Sequence, residues 1–63
     1  MAEDRLLDSA ETAEFLGVPV SLLGEWRYRS EGPPYLKLGH RTVRYSTHDL
    51  ARWLGERRVE AAS

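Results

Sequence analysis

The chain has 63 residues and no cysteine, so it is one domain at most, buries only about 60% of the surface its unfolded form exposes, and cannot use disulfides, Cys-ligated zinc or thiol catalysis. No apolar run approaches the ~20 residues of a membrane span and the start, MAEDRLLDS, is acidic rather than signal-like, so a soluble cytoplasmic protein with no membrane partner is expected. The net charge of −1 hides a division, because residues 1–25 sum to −5, residues 26–45 to +4 and residues 46–63 to zero, and a basic middle in an acidic chain points to a surface for a polyanion as readily as to a solvated charged face.

In chain order, residues 1–5 are expected as a disordered N-terminus. Asp8 then has the form of a helix cap, with Glu11 as the other half of a capping box and Leu6-Leu7 as an apolar staple before it. Ala10, Ala13 and Phe15-Leu16 supply the apolar stripe of a two-turn helix that Gly17 stops. Val18-Pro19 reads as a tight turn into a second helix over about residues 20–29, with Leu22, Leu23 and Trp26 inward and Ser21, Gly24, Glu25, Arg27 and Tyr28 mostly outward. Gly24 costs this helix about 1 kcal/mol relative to Ala, so packing or a close approach is expected there.

SEGPPY breaks the helix. GPPYLKLGHRTVRYS then reads as a β-hairpin with strands near 35–38 and 42–45 around a Gly39-His40 turn; Leu36, Leu38, Val43 and Tyr45 are expected on its apolar face, with Tyr35 and Lys37 opposite. A hairpin alone is marginal, so it must pack on helices. Ser46 and Asp49 suggest a weaker capping box for a last helix, in which Leu50, Trp53 and Leu54 form the stripe and Arg57-Arg58 complement the dipole. Trp26 and Trp53 are expected to contribute most to the core, and residues 59–63 to fray. The fold class is therefore mainly α with a small β-hairpin, a winged helix-turn-helix of order α-turn-α-β-β-α over residues 6–58. Such a shape suits double-stranded DNA, because the second helix fits the major groove and the hairpin wing reaches the backbone or the neighbouring minor groove.

AEFLGV, WRYRSEGPPYLKLG and VRYSTHDLARWL, together spanning most of residues 6–54, resemble the excisionase-type small DNA-binding proteins, which share the winged helix-turn-helix of MerR-type regulators. By position, the resemblance implies Ser21, Leu22, Glu25, Arg27 and Tyr28 as DNA-facing residues of the second helix, and Lys37, His40, Arg41 and Arg44 as those of the wing. It further implies cooperative binding at attachment-site DNA, bending of that DNA, and a site-specific integrase as partner that is steered toward excision. A small transcription regulator on the same fold is the alternative within the class. Leu22 and Gly24 depart from the family pattern in offering DNA no polar group, and Glu25 repels phosphate unless it accepts from a cytosine amino group. These three residues favour the alternative of another class, a protein-interaction module that has lost DNA reading.

Each basic residue also has a purely structural reading. Arg27 and Arg29 would complement a helix dipole, Lys37 would pair with Glu31, and the stem of Arg44 would cover the third helix. His40 suits a turn, and Tyr28 suits packing at a groove edge. Arg41 at the tip of the wing has the fewest structural reasons to be there. The acidic first helix could meet the basic last helix of a second copy, a head-to-tail self-association on DNA. His40 and His48 lack a third group for a metal or a nucleophilic triad and the glycines form no phosphate-cradling loop, so no enzyme, catalytic residue, metal, cofactor or small-molecule substrate is expected.

Overall fold

A computed structural model of the chain describes residues 3–59. Its elements are β1 (Leu6–Leu7), α1 (Ser9–Leu16), α2 (Val20–Tyr28), β2 (Leu36–Lys37), β3 (Val43–Ser46) and α3 (Thr47–Glu56). The architecture is that of a winged helix-turn-helix, with one addition to the expected order. Leu6-Leu7, read from the sequence as a staple, form a short strand, and the sheet is three-stranded in the order β1-β3-β2 with antiparallel pairing throughout. No helix among the described residues is long and apolar enough to cross a membrane.

Local chemistry sets the helix-turn-helix. Asp8 accepts from the Glu11 amide at 2.8 Å while Glu11 accepts from the Asp8 amide at 2.9 Å, so the expected capping box closes the start of α1. At its end Gly17 adopts φ +73° and the amides of Gly17 and Val18 both reach the Ala13 carbonyl. Pro19 caps α2 in extended conformation and Val18 packs on the core between the helices. At the far end Ser30 takes φ +56°, Gly32 takes φ +83°, and the Glu31 amide returns to the Trp26 carbonyl at 2.7 Å. This curl, with Pro33 buried behind it, turns the chain from α2 into the wing.

The core is Leu7, Ala13, Leu23, Tyr45 and Leu50, with Thr12 fully buried beside them and its hydroxyl donating to the Asp8 carbonyl. Tyr45, not a tryptophan, is the largest fully buried side chain. Trp26 and Trp53 are half-buried and lie against each other with ring centroids 5.6 Å apart. Three helix residues placed inward from the sequence lie at the surface: Phe15 is 58% exposed, Ala10 is exposed, and Leu54 is 40% exposed. An eight-residue helix has room for one narrow buried stripe, which Thr12, Ala13 and Leu16 fill.

The N-terminal segment differs from expectation. Residues 3–5 had been expected within a disordered end, yet Arg5 donates from its amide to Thr47 Oγ1 at 2.9 Å and accepts from the Thr47 amide through its carbonyl at 2.9 Å. Asp4 accepts from Ser46 Oγ at 2.7 Å and from the His48 amide at 3.3 Å. The Ser46 hydroxyl bond first, then the His48 amide, hold the Asp4 carboxyl below its ordinary value of 3.8. A carboxylate at a helix start also meets the positive end of the helix dipole. Ser46 caps α3 through the Asp49 amide as expected, but Asp49 turns to Arg52, and Asp4 supplies the second capping group from the far end of the chain. Residues 1–2 of the expected N-terminal end and 60–63 of the expected tail lie outside the described residues.

Candidate nucleic-acid interface

On α2, Ser21, Gly24, Glu25 and Tyr28 follow i, i+3, i+4, i+7 spacing and share one face. Ser21 and Glu25 are exposed, and Tyr28 is 91% exposed. Leu22 is half-buried at the margin of this face. A helix that packs on α1 through Leu23 can present only such a narrow strip to a groove.

Arg27 differs from the other α2 candidates. It is half-buried, donates from Nη1 to Tyr45 Oη at 2.6 Å, and has its guanidinium 5.8 Å from the Tyr35 ring centroid. Tyr35 in turn lies 6.1 Å, ring to ring, from Tyr45. The sequence places Arg27 outward on α2; the structure makes it a link between α2 and the sheet instead. The cause is the buried Tyr45 hydroxyl, which needs a partner inside a small core.

In the wing, Leu36 pairs with Arg44 and Lys37 with Val43, and the Leu38 amide donates to the Thr42 carbonyl. Residues opposite each other across a ladder share a face. Leu36 and Leu38 therefore share the face of Arg44, while Tyr35 and Lys37 share that of Val43 and Tyr45. This corrects the expected grouping of Leu36 and Leu38 with Val43 and Tyr45, and explains why Leu36 and Leu38 are 41% and 59% exposed. Arg44 is half-buried and donates to the Val43 carbonyl at 2.8 Å. His40 and Arg41 sit exposed in the connecting loop, and Lys37 is exposed one strand residue back.

The electrostatics separate cleanly. Among the described residues, ion pairs join Arg52 with Asp49 and Arg57 with Glu56, and His48 Nδ1 lies 3.9 Å from Asp4, all in α3, just past its end, or in the N-terminal segment. None of Arg27, Arg29, Lys37, Arg41 or Arg44 makes an ion pair within 4 Å among the described residues, and Lys37 does not pair with Glu31. Arg57 instead stacks over the Trp53 ring at 4.3 Å, away from the wing. The acidic side chains at Glu11 and Glu14 lie exposed on α1. Cations held in no ion pair, on one hairpin and the adjoining helix end, make a surface that attracts phosphate despite Glu25 and Glu31 beside the helix end.

Reading the sequence alone missed Tyr35, Tyr45 and Asp4. The alternation in VRYS turns Tyr45 inward, and an inward tyrosine hydroxyl asks for a donor or acceptor; that signal was available for Tyr45. Asp4 had no local signal, since its partners lie more than 40 residues away. A model of the helix-turn-helix domain family matches residues 6–58, and no curated protein and no solved structure matches the chain.

Proposed function

The chain belongs to the helix-turn-helix domain family and is a DNA-binding protein of that kind, and from that premise we propose that it prefers particular duplex sequences and acts as an excisionase. In this reading, α2 enters the major groove and the wing follows the adjacent minor groove or its phosphates. Several copies bind attachment-site DNA, bend it and steer a site-specific integrase toward excision. Kinship with MerR-type regulators, action in the cytoplasm, and a role by binding without catalysis belong to the same proposal. The observation that carries it is the set of wing and α2-end cations, Arg27, Arg29, Lys37, Arg41 and Arg44, none of which is held in an ion pair among the described residues.

Their number bounds the affinity. Neutralising at most about five phosphates gives a log–log salt slope of about −4.5, so one copy binds weakly at physiological salt. Bending a site costs on the order of 1–6 kcal/mol, which contacts from neighbouring copies must offset. The test is binding of the purified protein to labelled fragments of its own genomic neighbourhood at low and physiological salt, with random duplex as control. A salt-sensitive ladder on one fragment is the expected result, and an integrase gene beside that fragment separates excision from transcriptional regulation. No preference over random duplex at low salt refutes the sequence-preferring reading. A variant with Arg41→Ala and Arg44→Ala should lose about two units of the salt slope; unchanged affinity removes the wing from the interface.

A further inference from the structure

We propose that Arg27, Tyr35 and Tyr45 form a seat for one backbone phosphate at the junction between α2 and the wing, in which Tyr45 is the positioning residue that aims the Arg27 guanidinium. The inference rests on the DNA-binding reading and adds to it two tyrosines and a definite ligand group. When a helix lies in the major groove and a wing in the neighbouring minor groove, the sugar–phosphate strand dividing the grooves passes across their junction. Arg27 stands there, on the last turn of α2, tied to β3 by its 2.6 Å bond to Tyr45 Oη.

A guanidinium carries five N–H donors, and that bond uses one of them. No ion pair among the described residues involves Arg27. Tyr45 is 1% exposed, so the anchor that fixes the fork is itself held in the core, and the guanidinium also lies 5.8 Å from the ring of Tyr35, which is 40% exposed. Gly24 completes the arrangement. Beyond the helix's own backbone, the atom near where its Cβ would stand is Arg27 Nη2, at 3.9 Å. The guanidinium thus lies back along the helix surface over Gly24, within van der Waals range of that position. A pre-aimed arginine fork loses less freedom on meeting a phosphate than a free side chain does.

The experiment is a methylphosphonate scan of the duplex recovered in the binding test above, in which each backbone phosphate is replaced singly by its neutral analogue. Wild type, Arg27→Gln, Tyr45→Phe and Tyr35→Phe are compared, with thermal midpoints as the folding control. For wild type, one phosphate between the two grooves should stand out, its neutralisation weakening binding about tenfold, the scale of a hydrogen bond to a charged group. In Arg27→Gln the same replacement should have no effect, and the salt slope should fall by about 0.9. Tyr45→Phe keeps the charge of Arg27 but removes its anchor, so the effect at that phosphate should shrink severalfold while other phosphates respond as in wild type. If Arg27→Gln responds to every replacement as wild type does, Arg27 is only a clasp between α2 and β3 and the seat is refuted. If Arg27→Gln fails to fold, the two tyrosine variants decide: an unaltered scan in both refutes it equally. Absence of any wild-type binding to duplex overturns the DNA reading and this inference together, whereas binding without coupling at Arg27 overturns this inference alone.

Discussion

Gly32→Ala should destabilise the protein far more than its single added methyl suggests. At φ +83° an L side chain is strained by about 1–2 kcal/mol. An added Cβ would also stand 2.8 Å from Trp26 Cβ and from its ring, closer than carbon atoms approach without movement. Shifting Trp26 disturbs its packing on Trp53, and overpacking of that kind costs about 1–3 kcal/mol. The sum is about 2–5 kcal/mol against a total stability of roughly 3–9 kcal/mol for a chain this short. Gly17→Ala is the control, since φ is similar at +73° but nothing lies within 4 Å of the added carbon. It should cost only about 1–2 kcal/mol. Urea unfolding followed by tryptophan fluorescence measures both, with equal slopes required for the comparison. If the two variants lose the same stability, the close contact with Trp26 is not a packing constraint and the account of how α2 turns into the wing is wrong.

Leu23→Ala, at a fully buried position, should cost about 2–4 kcal/mol, whereas Phe15→Ala at the surface of α1 should change urea stability by less than about 0.5 kcal/mol. Asp4 has a folded-state pKa below its ordinary 3.8, so its contribution is present above that value and is lost as pH falls through the folded value. Amide shifts of Ser46 and His48 followed from about pH 5 to pH 2 should report release of the N-terminal segment, and Asp4→Asn should abolish that transition. Glu25→Gln should raise affinity for random duplex, because it removes a negative charge from the exposed strip of α2. If Glu25 accepts from a cytosine amino group, affinity for the preferred site should fall by about 1–3 kcal/mol in the same variant; an equal change on every duplex would show that Glu25 reads no base.

Helix positions and caps followed from local signals, because Asp8, Glu11, Gly17 and Ser46 act on groups within a turn of themselves. Strand faces followed only in part. Alternation determines which residues of one strand share a face, but the relation between two strands depends on register, and a slip of one residue exchanges the faces. That is why Leu36 and Leu38 were grouped with Val43 although they share the side of Arg44. The short N-terminal strand was hidden for a different reason. Leu6-Leu7 has no period of its own, and its partners Ser46 and Tyr45 stand at the other end of the chain. On the candidate interface, Arg41, His40 and Lys37 are exposed in the wing, and Ser21, Glu25 and Tyr28 on α2. The role of Arg27 was not readable, since its partners Tyr35 and Tyr45 belong to the wing and meet it only when the sheet packs on α2.

The small core and the binding surface are coupled through this one cluster. Tyr45 fills the centre of the core, and its hydroxyl would be an unpaired buried polar group without Arg27. Satisfying that hydroxyl holds the end of α2 at a fixed separation from β3. A chain this size has few contacts with which to fix the angle between a reading helix and a wing, yet a duplex offers its two grooves at a set spacing. Placing the link at the fully buried Tyr45 rather than at the surface ties that angle to the packed core. A substitution that loosens the core near Tyr45 should therefore weaken DNA binding even where it touches no residue of the wing loop or of the exposed strip of α2.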